Sequence, residues 1–226
     1  MKLGDTFPDF NATTDRGEIQ SFSRWVGDGN WAILFSHPAD FTPVCTTELA
    51  RAAILADEFK KRNVKMLAVS CDSVETHKEW IKDICAYAKE QGTEIQADKF
   101  PYEIIADENR ELAMILGMLD PMELDKKGMP VTARAVFFIG PKVTLRSMIL
   151  YPATTGRDFN EILRVIDSLQ LTDKHPIATP EGWKQSSDCM VQPSLAREEA
   201  TKLFGDKMKE QALPSGKSYM RFVSQP

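Results

Sequence analysis

The chain is organised around the stretch Trp31-Ala32-Ile33-Leu34-Phe35-Ser36-His37-Pro38-Ala39-Asp40-Phe41-Thr42-Pro43-Val44-Cys45. The apolar run 31–35 is typical of a buried strand, although its periodicity alone does not exclude a helix. Residues 44–62 contain no Gly or Pro and repeat apolar side chains at the spacing of one helical face. Pro43 suits the first helical position, because the hydrogen-bond donor that it lacks would be unpaired there. The stretch therefore predicts a strand, a loop and one long helix with Cys45 in its first turn.

A cysteine in this position has an environment that favours reactivity. Cys45 would lie among unpaired backbone N–H groups near the positive end of the helix dipole, and both stabilise a thiolate over a thiol. Thr42 can offer a hydroxyl to the sulfur or to an oxygen bound beside it, and Pro38 and Pro43 restrict the backbone around both. A lone cysteine near a helix start can equally be a buried and inert packing residue. The helix alone does not decide between the two.

The wider motif favours the reactive cysteine. Residues 37–48, HPADFTPVCTTE, resemble the active-site motif PxxxTxxC of the peroxiredoxins. Further segments resemble the one-cysteine (peroxiredoxin 6 type) subfamily over nearly the whole chain: GMLDP (117–121), GMPVTAR (128–134), YPATTGR (151–157), ATPEGWK (178–184) and LPSGKSYMR (213–221). The resemblance implies an α/β, thioredoxin-like fold, with a central mixed sheet flanked by helices and a small C-terminal domain. It also implies peroxide reduction with Cys45 as the peroxidatic nucleophile.

The same resemblance assigns two arginines to the site. A guanidinium near sulfur stabilises both the thiolate and the negative charge that develops on a departing peroxide oxygen, and the motif assigns this role to Arg134. Arg157 resembles the second arginine of the family and is the expected partner of Glu48. Glu48 lies three residues after Cys45 on the same helical face, where its useful role is to orient an arginine or accept a peroxide proton. Without the family match, Arg134 would be interpreted as a charge at a strand start that reaches solvent. The alternative for Glu48 is a surface charge.

The three histidines receive different interpretations. His37 directly precedes Pro38 and could bond the sulfur or its oxidised forms and supply a proton near neutral pH. His77 and His175 are predicted to be ordinary surface residues. His37 and Cys45 alone do not make a zinc site, so no metal is expected. Haem and flavin are likewise not required, and the expected set of cofactors is empty.

Composition limits the partners and the compartment. The 226 residues carry a net charge of -5 with a sequence pI near 5.4, which gives no reason to expect binding to nucleic acid or anionic membranes. The four cysteines, Cys45, Cys71, Cys85 and Cys189, show no CxxC spacing and no secreted disulfide pattern. They are expected to be free thiols in a reducing compartment. No secretory signal and no membrane-spanning apolar run is apparent, so the predicted location is cytoplasmic.

The order of elements predicts two domains. Strand-like runs at 31–35 and 64–70, each followed by a helical pattern, indicate βαβ units and a parallel sheet. Arg134 opens a buried-looking strand, which can pair with 143–150 as an antiparallel hairpin. We therefore predict a thioredoxin-like peroxidase domain at 1–171. The Pro- and Gly-interrupted remainder, 172–226, is predicted to be a C-terminal domain that serves packing or dimerisation.

The sequence thus predicts a thiol peroxidase for antioxidant defence, acting on hydrogen peroxide and organic hydroperoxides, including lipid hydroperoxides. Its sulfenic acid would be resolved by an external thiol such as glutathione, with delivery by a glutathione transferase as one route, and the protein would be a homodimer. Cys189, in the loop-rich part, remains open as an internal resolving cysteine. The alternative from another class is a non-catalytic thioredoxin-fold redox sensor or holdase.

Phospholipase activity, which members of this subfamily are also known for, is not expected. The segment at 27–31, where the resemblance places the lipase serine, reads GDGNW and contains no serine. Ser23 and Arg24 occupy the region of the corresponding histidine, and residues 141–143 lack the aspartate.

Overall fold

A computed structural model describes residues 1–226 and divides them into two compact units, Met1–Phe159 and Asn160–Pro226. This boundary lies at the start of the last long helix, whereas the sequence-based division at 171/172 lies near its end. The organisation into a peroxidase domain, 1–171, and a C-terminal domain, 172–226, stays a prediction. None of the helices combines the length and apolar character that crossing a bilayer requires.

The first unit contains nine strands and five complete helices. The strands are β1 (Ala12–Thr14), β2 (Gly17–Ile19), β3 (Trp31–Ser36), β4 (Val64–Ser70), β5 (Glu103–Ala106), β6 (Leu119–Leu124), β7 (Pro130–Thr132), β8 (Arg134–Ile139) and β9 (Leu145–Tyr151). The helices are α1 (Phe22–Val26), α2 (Pro43–Ile54), α3 (Ala56–Lys61), α4 (Val74–Glu90) and α5 (Glu111–Leu116). A further helix, α6 (Phe159–Lys174), begins at the boundary between the units.

Seven of these strands form one mixed sheet in the order β2-β1-β5-β4-β3-β8-β9. β3 pairs in parallel with β4, and β4 in parallel with β5, as expected for consecutive βαβ units. β8 runs antiparallel to both β3 and β9. The predicted α/β class with a central mixed sheet is therefore confirmed. β6 and β7 form a separate antiparallel hairpin.

β3 lies near the middle of the sheet and is buried along its whole length. Ala32 and Leu34 belong to an apolar cluster that includes side chains of α1 and α5. On the alternate face, the Phe35 ring packs edge-on against Tyr102 at 5.3 Å and Phe159 at 5.7 Å between ring centroids. Because both faces are covered, the strand has a continuous apolar sequence instead of an alternating one.

The prediction of one helix over 44–62 is wrong in one respect. The segment forms two helices, α2 and α3, which are separated by Leu55. The backbone of Leu55 has φ -91° and ψ 6°, in the bridge region outside the helical range. Leu49 in α2 and Phe59 in α3 are both fully buried, so tertiary packing on each side fixes the break. No Gly or Pro marks it in the sequence.

The second unit contains short elements, as its Pro and Gly residues predict. They are β10 (Ile177–Ala178), β11 (Cys189–Val191), α7 (Arg197–Phe204), β12 (Met208–Glu210) and β13 (Arg221–Val223). The four strands form an antiparallel sheet in the order β10-β11-β13-β12. Its small core includes Trp183 and Cys189.

Candidate active site

Cys45 lies in the first turn of α2, directly after the loop that follows β3. The helix begins at Pro43, and Thr42 before it has an extended backbone, with φ -115° and ψ 147°. The Cys45 side chain is fully buried. The strand–loop–helix arrangement around the cysteine is therefore as predicted, and the thiol lies beneath the protein surface.

Arg134, the first residue of β8, provides a cation beside the sulfur. Its Nη1 lies 3.3 Å from Cys45 Sγ, although 89 residues separate the two in sequence. Nε and Nη2 both donate to the Ala153 carbonyl, at 2.9 and 2.7 Å. The guanidinium is buried and held in orientation by this carbonyl, so the sequence-based alternative of a surface charge is wrong.

Glu48 joins the two arginines of the motif. Its Oε2 accepts from Arg134 Nη1 at 2.7 Å and from Arg157 Nη2 at 2.8 Å. Its Oε1 accepts from the Arg157 backbone N–H at 2.6 Å and from Nε at 3.0 Å. Burial by itself would raise the pKa of the Glu48 carboxyl, but the charge and hydrogen bonds of Arg157, together with the charge of Arg134, lower it below its ordinary value. Glu48 is therefore a buried carboxylate paired with two guanidinium groups.

Gly156 allows the segment that carries Arg157 to approach α2 closely. A Cβ atom at this position would lie 3.3 Å from Val44 Cγ1 and 3.9 Å from Glu48 Oε1. Arg157 is further fixed by its Nη1, which donates to the Ala135 carbonyl at 2.6 Å. The glycine of the YPATTGR segment thus has a packing reason, since a side chain there would crowd the helix start.

The loop residues Pro38 and Thr42 line an open cavity of about 770 Å³, together with Arg134. On the other side, the cavity is lined by residues 123–127 at the end of the β6–β7 hairpin. The Thr42 hydroxyl donates to the Ala39 carbonyl at 2.8 Å. The cavity is large enough for a small molecule and borders Arg134, whereas Cys45 is not among its lining residues.

His37 is fully buried, but its ring does not bond to the Cys45 sulfur. Its Nε2 lies 2.8 Å from Asp40 Oδ1, and its Nδ1 has no hydrogen-bond partner. Asp40 Oδ2 lies 2.6 Å from Nδ1 of His77, and Nε2 of His77 lies 3.1 Å from the Ile105 carbonyl. The structure therefore separates two buried polar groups, the cysteine–arginine cluster and a histidine–aspartate–histidine network.

Sequence comparison places this geometry in a known family. Residues 3–148 match the AhpC/TSA family, and residues 168–207 match the C-terminal domain of 1-Cys peroxiredoxin. The chain is 58% identical to the 1-Cys peroxiredoxin of Dirofilaria immitis, covering 99% of this chain and 97% of the relative. It is also 58% identical to Peroxiredoxin-6 of Homo sapiens, covering 100% of this chain and 98% of the relative.

The chain belongs to the 1-Cys peroxiredoxin family. A solved structure of Peroxiredoxin 6 from Arenicola marina superimposes with a TM-score of 0.93 at 52% identity, covering 100% of this chain and 99% of that one. The yeast mitochondrial 1-Cys peroxiredoxin gives a TM-score of 0.87 at 40% identity, covering 99% of each chain. These neighbours confirm the thioredoxin-like fold with a C-terminal domain, and they confirm that this peroxiredoxin is a thiol-dependent peroxidase.

The other three thiols of this peroxiredoxin lie in environments that favour the neutral form. Burial raises the pKa of Cys71 to about 11. Burial also raises the pKa of Cys85 and of Cys189. Cys189 is fully buried in the core of the second unit, and all four cysteines are free. Cys189 lies in the part of the chain that the sequence predicted to be loop-rich, but the residue itself begins a short strand, β11.

Sequence reasoning missed His77. It was predicted to lie on the surface, whereas it is fully buried, so that prediction is wrong. A signal was present, because His77 precedes Trp80 and Ile81 by three and four residues and so shares the buried face of α4. Asp40, its partner, carried no comparable signal, since a loop aspartate is ordinarily exposed.

Proposed function

We propose that this peroxiredoxin reduces hydrogen peroxide and organic hydroperoxides, including lipid hydroperoxides, with Cys45 as the peroxidatic nucleophile. The observation that carries the assignment is the 3.3 Å separation between Arg134 Nη1 and Cys45 Sγ. A buried guanidinium at this distance favours the thiolate, which is the nucleophilic form of cysteine. The same positive charge stabilises the negative charge that develops on the departing oxygen.

The reaction follows from this arrangement. The Cys45 thiolate attacks one peroxide oxygen in line with the O–O bond, so an S–O bond forms as the O–O bond breaks. The electron pair of the broken bond stays on the departing oxygen, which takes up a proton and leaves as water or an alcohol. The sulfur is oxidised to a sulfenic acid. Pro38 and Thr42 line the cavity, and we assign them to shaping the peroxide site and orienting the peroxide.

Glu48 and Arg157 act through Arg134. The Glu48 carboxylate accepts from both guanidinium groups, and Arg157 is anchored in turn to the Ala135 carbonyl. We propose that both residues position the Arg134 guanidinium, because a guanidinium that is already held in place needs little reorganisation during the reaction. The resting geometry does not support a direct proton-donor role for His37, because its Nε2 faces Asp40. We assign His37 to holding the loop.

An external thiol is the proposed reductant. The sulfenic acid condenses with one thiol to give a mixed disulfide and water, and a second thiol then releases Cys45 as a thiol and leaves as a disulfide. The structure of the yeast relative concerns a thiol-resolving mechanism through the glutathione and thioredoxin systems, which supports glutathione as the reductant here. Delivery by a glutathione transferase is a finer proposal that rests on the family resemblance.

We also propose a cytoplasmic homodimer that serves antioxidant defence. The free thiols favour a reducing compartment. The edge strand β9 exposes Met148, Leu150 and Tyr151, an apolar row that a second copy of the chain can cover. Sedimentation velocity tests the dimer, with Leu150→Glu as the variant expected to dissociate it.

Peroxide consumption by the fully reduced, purified chain tests the central proposal. We expect rapid loss of one equivalent of hydrogen peroxide per chain. Stopped-flow tryptophan fluorescence monitors the reaction. A chain that serves only as a redox sensor or holdase would consume peroxide no faster than a free thiol.

Phospholipase turnover is expected to stay at background, because the turn at 27–31 contains no serine. Fatty-acid release by protein with Cys45 blocked would contradict this last expectation.

A further inference from the structure

We propose that His77 is a positioning residue of the peroxidase site. As a buried imidazolium, it holds Asp40 ionised, and Asp40 in turn holds His37 and the loop at 38–42. The inference rests on the proposed peroxidase function for its kinetic consequences. Its structural content, the protonation of the two rings, is independent of that function.

Counting donors and acceptors assigns the charge to His77. Its Nε2 lies 3.1 Å from the Ile105 carbonyl oxygen, which can only accept, so Nε2 carries a hydrogen. Its Nδ1 lies 2.6 Å from Asp40 Oδ2, so one hydrogen lies between these two atoms, and the lowered pKa of Asp40 places it on Nδ1. Both ring nitrogens therefore carry hydrogen, which makes the ring a cation. The ring is fully buried, so no water competes for either contact.

The charges that face His77 support this state. Asp40 faces it from the active-site loop, Asp72 from the turn after β4, and Asp15 from the turn between β1 and β2. Burial by itself would lower the pKa of His77, but the hydrogen bond and charge of Asp40 outweigh it and raise the pKa above its ordinary value. Burial would likewise raise the pKa of Asp40, but its hydrogen bonds to His37 and His77 lower it well below its usual range.

Asp40 also determines the tautomer of the second ring, His37. Its Oδ1 accepts from Nε2 of His37 at 2.8 Å, which places the hydrogen of a neutral His37 on Nε2. Nδ1 of His37 is then a lone pair, which agrees with its having no acceptor to donate to. Without the carboxylate, neither tautomer of His37 would be selected.

Asp40 also fixes the loop backbone. Its N–H donates to Asp72 Oδ2 at 2.9 Å, and Asp72 itself accepts from the Ser70 hydroxyl at 2.7 Å. Asp40 lies between Pro38 and Thr42, both of which line the cavity beside Arg134. Loss of the network should therefore displace the groups that shape the peroxide site. A displacement of about 1 Å in such a site can cost about a hundredfold in rate.

The arrangement predicts a dependence on pH. Because the pKa of His77 is raised, its charge is lost only as pH rises through a value above the ordinary one. The facing carboxylates Asp15, Asp40 and Asp72 then lose their buried counter-charge. The second-order rate of peroxide reduction is expected to fall on this alkaline limb.

Histidine NMR tests the protonation directly. The chain has three histidines, so protein labelled with ¹⁵N in its histidine rings gives three resolvable ring systems, assigned with single His→Gln variants. At pH 7 we expect both nitrogens of His77 to be protonated and His37 to be neutral with hydrogen on Nε2. His175, which is partly exposed, serves as the reference ring. A neutral His77 at pH 7 would overturn the proposal.

Kinetics test the positioning role with His77→Asn and Asp40→Asn. Asparagine at 77 can still donate an N–H toward Asp40 but does not titrate. We expect a loss of about tenfold to about a hundredfold in rate at pH 7 and disappearance of the alkaline limb. His175→Gln is the matched control and should keep the wild-type rate and pH profile. A His77→Asn protein with wild-type rates at every pH would refute the role. Wild-type protein that fails to consume peroxide would refute the proposed function instead, while the NMR result still decides the network.

Discussion

Cys45 and Cys189 are equally buried, yet their surroundings differ in one decisive respect. Each side chain is 0% exposed. Cys45 faces the Arg134 guanidinium at 3.3 Å, whereas Cys189 lies in an apolar cluster with the Ser187 carbonyl as a distant acceptor at 3.9 Å. Burial raises the pKa of Cys189, as expected for a thiol without a cation. The two thiols are equally buried and differ in the charge beside the sulfur, and we expect this charge to decide which of them reacts.

The two environments also differ in what holds them together. The Cys189 environment is held by apolar packing in the second unit. The Cys45 environment requires Arg134, Arg157 and Glu48, three charged side chains that are each less than a tenth exposed. Desolvating such charges is costly unless every one is paired. The proposed nucleophile thus lies beside a charge cluster that must be complete, and substitutions in that cluster should have large effects.

The largest expected effect is at the nucleophile. Cys45→Ser should abolish rapid peroxide consumption, because a hydroxyl is not a comparable nucleophile at neutral pH. Cys71→Ser and Cys85→Ser are the matched controls and should leave the first oxidation step nearly unchanged. Competition with a peroxide-sensitive dye measures all three. Near-normal peroxide consumption by Cys45→Ser would show that Cys45 is not the peroxidatic thiol.

Arg134→Met should have the next largest effect. Removing the cation makes the surroundings of Cys45 more like those of Cys189, and we expect a loss of about 10²–10³ in the second-order rate with peroxide, by analogy with removal of one transition-state donor. Alkylation by iodoacetamide at neutral pH should slow as well, because less thiolate is present. Arg197→Met, at an exposed arginine that pairs with Glu210, is the control. Unchanged rates in both assays would show that Arg134 has only a structural role.

Glu48→Gln should affect stability more than the nucleophile. It leaves two buried guanidinium groups without their carboxylate, for which we expect a loss of about 3–5 kcal/mol in the free energy of unfolding. Because the pKa of Glu48 is lowered, its contribution is present above the unfolded value near ~4.3 and is lost as pH falls through the folded value. The difference in the free energy of unfolding between wild type and variant should therefore become smaller at acidic pH.

Urea unfolding at pH 7 and below pH 4 measures this difference. Glu161→Gln, which removes the surface partner of Arg164, is the control and should change stability by at most about 1 kcal/mol. A stability difference for Glu48→Gln that stays constant across this range would show that the charge of Glu48 is not what stabilises the cluster.

The smallest expected effect is at Cys189. Since its thiol is buried and has a raised pKa, Cys189→Ser should keep wild-type turnover with glutathione. One equivalent of peroxide should remove one thiol per wild-type chain and produce no covalent dimer on a non-reducing gel. A Cys45–Cys189 disulfide peptide found by mass spectrometry would make Cys189 the resolving residue and would remove the contrast between the two thiols.

Local pattern was sufficient for the elements around Cys45. Strand β3 and the start of α2 follow from preferences of neighbouring residues. The features that predicted them are the apolar run at 31–35, Pro43 and the absence of Gly or Pro over 44–62. The break at Leu55 does not follow from such preferences, because the residue type permits a helix and packing on both sides decides the backbone. The motif resemblance supplied Arg134 and Arg157, which no local pattern would have separated from surface arginines.

By itself, the sequence determined the family and the mixed α/β class and predicted Cys45 as the reactive cysteine, because a motif of fixed spacing lies within one strand–loop–helix segment. The sequence also predicted the pairing of Glu48 with Arg157, but only the tertiary structure showed that the same carboxylate binds Arg134 and that His77 pairs with Asp40. Arg134 reaches Cys45 and Glu48 across 89 and 86 residues of chain, and His77 reaches Asp40 across 37. Burial and pairing of charges depend on which strands and helices become neighbours, and that is a property of the packed sheet that residue spacing does not encode.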